Sequence, residues 1–285
     1  PPSQDLKLIK LRKISRVTLE DSQDIWENVS KKLKSYKRIL VIYGQNHPLI
    51  DEEREAVESF QKRYNCVFIT DHLSNFRNDD TILSFPLLLQ CSQETFNNLL
   101  YPDLVITVGG RRVSNDPILY KLRGCNKNIE HWRVAEDGLV ADPFRRLSVV
   151  FECSQKTFFK FFQKNNENLT NDRIYLKAWQ SELRKIKESS LPYSQKYAIG
   201  QMISNMPKDA LLHLAHSNTK RLANMFAFCN HPEVFCNAGT NGIDGSASTF
   251  MGHVAVTDQP AFLMIGDLSF FYDMNSIFNK EIKPN

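Results

Sequence analysis

Short apolar runs alternate with amphipathic stretches over the first half of the chain. The runs predict buried strands at 38–44, 66–70, 103–109, 131–134 and 147–151, and the amphipathic stretches predict helices at 51–63 and 116–122. The strands at 38–44 and 103–109 both end in a glycine, which is typical of a turn. Apolar strands that alternate with helices favour a parallel sheet with helices on both faces.

A polar, charged stretch interrupts this rhythm after residue 163. A helical run then extends to about Lys187, and Ser189-Ser190-Leu191-Pro192 indicates a domain edge. The alternation resumes with strands at 210–214, 234–236 and 261–265 and helices from Asn218 and over 246–256. We therefore expect two Rossmann-like, three-layer α/β domains with mainly parallel sheets, the second truncated. The boundaries are 1–165 for the first domain, 166–190 for a helical linker and 191–285 for the second domain.

Composition and charge narrow the function classes. The chain has 285 residues, 42% hydrophobic and 24% charged, with a net charge of +4 from interleaved basic and acidic side chains. Without a basic arm or an RNA-type aromatic motif, nucleic acid binding is not expected. The sequence shows no signal peptide and no apolar run of membrane-spanning length. The six cysteines lack metal-ligand spacing and read as reduced thiols of a cytoplasmic protein.

The segment Gly266-Asp267-Leu268-Ser269-Phe270-Phe271-Tyr272-Asp273-Met274-Asn275 carries the strongest chemical signal. It follows the last predicted strand, so Asp267 would stand beside backbone N–H groups at a helix start. That combination suits a divalent cation that bridges the protein to a phosphate. The alternative is that Asp267 is only the N-cap of a helix that begins near Phe270.

Three motifs together resemble one branch of the thiamine-diphosphate enzymes. Gly266–Asn275 is similar to that branch's Gly-Asp-Leu-Ser-Phe-x-x-Asp-x-Asn, residues 237–245 resemble its Asn-Arg-Gly-x-x-Gly-Ile-Asp-Gly, and Ser217 with Arg221 resembles its Ser-x-x-x-Arg. The branch is 2-succinyl-5-enolpyruvyl-6-hydroxy-3-cyclohexene-1-carboxylate synthase. The resemblance is specific over residues 210–280, and the first 165 residues are compatible with the family's central, transhydrogenase-like domain.

The resemblance implies a role for each matching residue. Asp267 would ligate Mg²⁺ (or Mn²⁺), and the cofactor thiamine diphosphate would be bound by Ser217, Ile243, Gly266, Leu268 and Ser269. Ile243 would be the apolar support that bends the cofactor; otherwise it is an ordinary core residue. Arg221 and Asn237 would bind substrate. Alternatively, Arg221 is a solvated helix arginine, and the hydroxyl of Ser217 caps a helix, which does not exclude a site role.

The chain departs from the family's pattern at two places. Ala238 replaces an arginine of the second motif, and Asn115-Asp116 stands where better-known members have a Lys-Arg pair. Arg111 or Arg112 would then have to supply the basic contacts to substrate that these positions lack. Asp244 and Asp273 are further candidates that local capping explains equally well.

The implied reaction is decarboxylation of 2-oxoglutarate and conjugate addition of the succinyl carbanion to isochorismate, in menaquinone (vitamin K2) biosynthesis. The family's catalytic Glu belongs to an N-terminal pyrimidine-binding domain that this chain lacks, and the Asn that completes the Mg²⁺ site would fall beyond Asn285. We therefore expect no catalytic residue here and no activity from this chain alone. A homodimer or homotetramer is expected, because the family's active site spans subunits.

Two other readings stay open. A different thiamine-diphosphate-dependent lyase or synthase acting on 2-oxo acids would normally keep Gly-Asp-Gly, where this chain has Leu268. A noncatalytic nucleotide-binding or assembly domain is suggested by Gly109-Gly110 after a strand, but no Gly-x-Gly-x-x-Gly follows any strand.

Overall fold

The computed structural model describes residues 12–21, 23–110, 116–164, 171–186, 191–239 and 242–280. Within these ranges the first region, up to residue 186, is built on seven parallel strands in the order β1-β7-β6-β5-β2-β3-β4. The strands are β1 (Ser15–Thr18), β2 (Ile39–Tyr43), β3 (Val67–Thr70), β4 (Thr81–Leu83), β5 (Leu104–Val108), β6 (Glu130–Val134) and β7 (Leu147–Glu152). The helices are α1 (Gln23–Leu33), α2 (Asp51–Tyr64), α3 (Ser84–Gln90), α4 (Gln93–Thr95), α5 (Pro117–Arg123), α6 (Gln155–Lys164) and α7 (Ile174–Arg184), with a 3₁₀ turn at His72–Ser74 and a π turn at Phe96–Leu100.

Side chains of the central strands alternate between two apolar layers, as the two-residue period of a strand requires. In β2, Val41 and Tyr43 enter one layer, with helices α1, α2 and α6, whereas Leu40 and Ile42 enter the other, with α3, α5 and α7. Both faces of the sheet are therefore covered. The predicted α/β class with a mainly parallel sheet is confirmed, as are the five predicted strands and both predicted helices.

Helix α7 lies inside the stretch predicted as a linker. Its Tyr175, Leu176 and Trp179 are buried in the second apolar layer of the first region, and the Tyr175 hydroxyl donates to the Leu100 carbonyl at 2.8 Å. This helix therefore packs as part of the first sheet's cover. The rest of the predicted linker includes 166–170 and 187–190, which lie outside the described residues.

The second region is smaller and follows the predicted order of elements. Its described strands form a parallel sheet in the order β10-β8-β9. These are β8 (Leu211–Leu214), β9 (Glu233–Phe235) and β10 (Ala261–Met264), with helices α8 (Gln195–Ser204), α9 (Asn218–Ala223), α10 (Ser246–Val256) and α11 (Asp267–Tyr272) and a 3₁₀ turn at Met274–Phe278. Its apolar core joins residues of α8, all three strands and Leu73 of the first region.

Side chains from the first region bind the second region directly. The Asn75 amide donates to the Val234 carbonyl at 2.9 Å and accepts from the Val234 N–H at 2.8 Å. His72 donates from its ring Nε2 to the Ala223 carbonyl at 2.9 Å, and Arg77 donates to its Nδ1 at 2.6 Å. Burial lowers the pKa of His72 well below its ordinary value, so this ring is a neutral connector between the regions.

None of the helices among the described residues has the length and hydrophobicity that a bilayer crossing requires.

Candidate functional site

A cavity of about 510 Å³ lies where β8 and β10 end. The two strands are neighbours, and the Ala215 N–H donates to the Met264 carbonyl at 2.9 Å, so the segments that leave them start side by side. Ligands of parallel α/β sheets bind at this carboxyl edge, because the loops that follow adjacent strands converge there.

The cavity brings together residues from all three motifs. Six predicted site residues line it: Ser217, Ile243, Gly266, Asp267, Leu268 and Ser269. They come from three separate loops spread over more than fifty residues of sequence. Their convergence results from the fold, since none of the three loops alone encloses a space.

Asp267 is the first residue of α11, and Gly266 is its N-cap. The alternative prediction, with Asp267 as the N-cap of a helix beginning near Phe270, is therefore wrong. The reason is that Gly266 adopts the extended cap conformation, and the Phe270 N–H closes the first turn onto the Gly266 carbonyl at 2.9 Å. The Asp267 carboxylate accepts the Leu268 N–H at 2.9 Å and is otherwise open to the cavity side.

The donor set suits a diphosphate held through a cation. A Cβ built on Gly266 would meet no atom within 4 Å, so space adjoins the backbone next to Asp267. Among the described residues no group of three or more His, Cys, Asp or Glu side chains is placed to hold a metal. A Mg²⁺ ion at Asp267 would thus need further oxygen ligands from phosphate, from water or from outside the described residues, and Mg²⁺ is usually bound through one or two protein carboxylates in this way.

Ser217 has a strained backbone. It is the N-cap of α9, as predicted, but its side chain makes no capping hydrogen bond, and its φ and ψ are 71° and −124°. A non-glycine residue with positive φ costs on the order of 1–3 kcal/mol, and such residues cluster at ligand sites. Ser217 thus lines the cavity in a conformation that the surrounding structure must hold against this cost.

Two motif residues do not line the cavity. Arg221 lies one turn into α9, and its Nε is buried without a hydrogen-bond partner in the described part of the chain. Asn237 is exposed, and its amide donates to the Gly245 carbonyl at 3.1 Å and to Thr249 Oγ1 at 2.8 Å. In this structure Asn237 therefore contacts the loop that carries Ile243.

The remaining candidates have local partners or lie outside the described ranges. Asp244 is exposed. The Asp273 carboxylate accepts the Ser248 N–H at 2.6 Å, which caps α10, and Asp116 accepts the Ile118 N–H at 3.1 Å, which caps α5. Ala238 is buried. Arg111, Arg112 and Asn115 lie outside the described residues.

Sequence reasoning missed one whole wall of the cavity. Four residues from one face of α8 line it together with His216: Gln195, Ala198, Ile199 and Met202. Their spacing of three and four residues is the available signal, because such positions share a helix face. The stripe mixes polar, small and apolar side chains, so it does not distinguish a cavity wall from a packed face.

A pair of histidines lies behind this site. His213 of β8 is buried, and its Nε2 is 3.1 Å from Nδ1 of His253 in α10. Burial, together with the neighbouring His253, lowers the pKa of His213 to about 4. His213 also stacks on Phe235 with ring centroids 5.4 Å apart. The neutral ring is therefore part of the packing of α10 on the sheet.

Comparisons with known proteins agree with the motifs. No family model matches the chain. The chain is 34% identical over 263 residues to the 2-succinyl-5-enolpyruvyl-6-hydroxy-3-cyclohexene-1-carboxylate synthase of Bacteroides thetaiotaomicron, covering 91% of this chain and 46% of the relative. It is 33% identical to that of Bacteroides fragilis, with the same coverage, and 30% identical to that of Flavobacterium johnsoniae, covering 99% of this chain and 51% of the relative.

A solved structure from Mycobacterium smegmatis, provisionally described as a thiamin diphosphate-dependent enzyme, shares the fold. Its TM-score is 0.54 at 14% identity, over 90% of this chain and 50% of that chain. The chain thus spans about half the length of the curated relatives it matches. Over about nine tenths of its length the chain is thus a homologue of curated 2-succinyl-5-enolpyruvyl-6-hydroxy-3-cyclohexene-1-carboxylate synthases, as its three motifs predicted.

Proposed function

We propose that this chain forms the central domain and the first part of the diphosphate-binding domain of a thiamine-diphosphate- and Mg²⁺-dependent synthase. The proposed reaction joins 2-oxoglutarate, after its decarboxylation, to isochorismate in menaquinone biosynthesis. The observation that carries the proposal is the convergence of six motif residues, Asp267 among them, on one cavity at the carboxyl edge of the second sheet. The relatives' names support a synthase of this kind, and the position and lining of the cavity support cofactor binding there.

Each of the six motif residues that line the cavity has a part in this proposal. Asp267 holds the cation, while Ser217 and the backbone N–H groups of the Gly266–Ser269 segment hold the diphosphate, and Ile243 supports the cofactor's rings. When bound, thiamine diphosphate supplies a nucleophilic carbon and then accepts the electrons released by decarboxylation. The protein's contribution here is to bind and orient the cofactor beside the mixed polar and apolar wall formed by α8.

Arg221 is proposed to bind a substrate carboxylate. A buried, unsatisfied donor costs about 1–3 kcal/mol, so its Nε favours an acceptor that arrives with a ligand or with another part of the protein. Both proposed substrates are acids, and a guanidinium pairs with carboxylates through two parallel hydrogen bonds. Asn237 is proposed as a second substrate contact from its exposed position beside the Ile243 loop.

The catalytic Glu of the family belongs to the pyrimidine-binding domain, so we propose that this chain is inactive alone. The complete site would form in a homodimer or homotetramer of the full-length protein. The test therefore uses the full-length protein with Mg²⁺ and thiamine diphosphate. CO₂ release from 2-oxoglutarate is measured with and without isochorismate, for the wild type and for Asp267→Ala.

We expect a coupled product to form only when isochorismate is present. In Asp267→Ala, turnover should fall at least a hundredfold, which is about the effect of removing one key electrostatic contact from an active site. Asp258→Ala is the matched control, because Asp258 precedes β10 at the far edge of the same sheet. Turnover of pyruvate instead of 2-oxoglutarate would favour a different thiamine-diphosphate lyase. Absence of Mg²⁺-dependent cofactor binding would favour the noncatalytic nucleotide-binding or assembly role.

A further inference from the structure

The loop that carries Ile243 has no regular structure of its own. Residues 242–245 are the last part of the connection from β9 to α10 and belong to no strand or helix. Gly245, the N-cap of α10, has a φ of 72°, which only glycine adopts without strain. The position of Ile243 against the cavity therefore depends on what other elements hold this loop.

Ser269 holds the loop from the side of α11. Its side chain is buried, and its hydroxyl donates a hydrogen bond to the Ile243 carbonyl, 26 residues away in sequence. A hydroxyl has a single proton to donate. Because Ser269 gives that proton to Ile243, it has none to give to a phosphate oxygen in this arrangement.

Asn237 holds the other end of the same loop. Its amide donates to the Gly245 carbonyl at 3.1 Å and to Thr249 Oγ1 at 2.8 Å, so both amide protons are used. The Gly245 carbonyl also accepts the Thr249 N–H at 3.0 Å, the first hydrogen bond of α10. Asn237 thus fixes the point where the loop enters the helix.

Asp273 holds the first turn of α10. Its carboxylate accepts both the N–H and the hydroxyl of Ser248, the third residue of that helix. A side-chain acceptor at the third N–H is the usual function of an N-cap residue, and Gly245 has no side chain to provide it. Asp273 therefore supplies the missing cap from a segment that follows α11.

We infer that the side chains of Ser269 and Asp273 position Ile243, and through it set the width of the cavity, instead of contacting the cofactor, and that Asn237 fixes the same loop in addition to its proposed substrate contact. The three side chains come from α11, from the segment after β9 and from the segment after α11. They tie the first and second motifs, Gly266–Asn275 and residues 237–245, into one rigid unit. This inference rests on the proposed function, because it assigns Ile243 to cofactor support.

A double-mutant cycle tests whether Ser269 acts through Ile243. In the full-length protein with Mg²⁺, thiamine diphosphate affinity is measured by calorimetry for wild type, Ser269→Ala, Ile243→Ala and the double variant. We expect Ser269→Ala to weaken binding about tenfold, the effect of one buried hydrogen bond. In the Ile243→Ala background, where the loop has no side chain to position, the same change should cost less than about twofold.

Direct contact predicts the opposite result. If Ser269 touched the diphosphate, its tenfold effect would persist without the Ile243 side chain, and that result would overturn the inference. Asn230→Ala is the matched control, because its amide donates to the Met206 carbonyl at 2.8 Å elsewhere in the same region. This control should leave cofactor affinity unchanged.

A second measurement does not depend on the cofactor. Amide hydrogen exchange of residues 242–249 in the cofactor-free, full-length protein should accelerate at least tenfold in Ser269→Ala and in Asp273→Ala. Asp273→Asn keeps an oxygen acceptor for the Ser248 N–H and should restore most of the protection. Unchanged exchange in both alanine variants would overturn the inference. Wild-type protein that exchanges as expected but binds no thiamine diphosphate would instead refute the proposed function.

Discussion

The two parallel sheets use their carboxyl edges for different purposes. In the first region, the residues after β2 and β3 face the second region: Gln45 donates to the Cys236 carbonyl at 3.2 Å, and His72 and Asn75 bind α9 and β9. In the second region, the segments after β8 and β10 enclose the cavity. The same topological position thus forms a joint in one sheet and a candidate ligand site in the other.

The regions also differ in how completely they are packed. The first sheet is covered on both faces, and its core contains rings of Phe60, Phe151, Phe158 and Phe162 in mutual contact. The second has three described strands, and Leu268, Phe271, Tyr272 and Phe278 are each more than 60% exposed. We infer that the first region supplies most of the stability and that the second keeps the less stable, adaptable parts that ligand sites require.

The largest effect is expected from a ring in the first core. Phe158 is fully buried and contacts four other aromatic residues, so Phe158→Ala should destabilise the first region by about 3–5 kcal/mol. All three tryptophans lie in the first region or in α7, so tryptophan fluorescence during urea unfolding reports on this region. A loss below about 1 kcal/mol would contradict the assignment of stability to this core.

An intermediate effect is expected from His213 in the second region. Its pKa is about 4 in the folded chain against 6.5 ordinarily, so between these values the unfolded state binds more protons. The free energy of unfolding of the second region should therefore fall by up to roughly 3 kcal/mol as the pH drops from 7 to 4. Hydrogen exchange of the β8 amides at each pH measures this fall.

His213→Phe should remove most of that pH dependence, because phenylalanine keeps the stacking on Phe235 but does not titrate. The first region is the internal control. Burial also lowers the pKa of His131, which lies in the first region. The free energy of unfolding of the first region should therefore fall toward low pH in both the wild type and the variant. If the stability measured at the β8 amides depended on pH as strongly in His213→Phe as in the wild type, other titrating groups would be responsible for that dependence.

The smallest effect is expected from a phenylalanine in the exposed part of the second region. Phe271 is 67% exposed, so Phe271→Ser should change the stability of this chain by no more than about 0.5 kcal/mol. Paired with Phe158→Ala, this variant sharpens the contrast between the regions. A loss of several kcal/mol, measured by hydrogen exchange in α10 and β10, would show that the second region packs as tightly as the first.

The sequence predicted the strands and helices well because each has a strong local signal. The run at 39–43 is apolar throughout and the run at 104–108 is apolar except for Thr107, and their central residues are buried on both faces. The site residues were found for a different reason: Asp267, Ile243 and Ser217 lie in motifs whose spacing resembles a family. The structure adds that these motifs surround one cavity.

Contacts between distant segments could not be read from the sequence. Nothing near Ser269 indicates that its hydroxyl binds the Ile243 carbonyl, and nothing near Asp273 indicates that it caps α10. The start of α11 at Asp267 was also missed, because Gly266 caps the helix through backbone conformation without a side chain. Partners separated by more than twenty residues depend on the whole fold, which local propensity does not encode.

The hydrogen bonds of Asn75 have a consequence for dividing the chain. Strand β9 is at one side of its described sheet, and the Asn75 amide pairs with both backbone groups of Val234 as a neighbouring strand would. A side chain from the first region thus covers an edge strand of the second region. The exposed N–H and C=O groups of that edge would otherwise be able to pair with a strand of another molecule. A piece comprising residues 191–280 alone would present that border unprotected, and we expect it to aggregate in solution through strand pairing that Asn75 blocks in the intact chain.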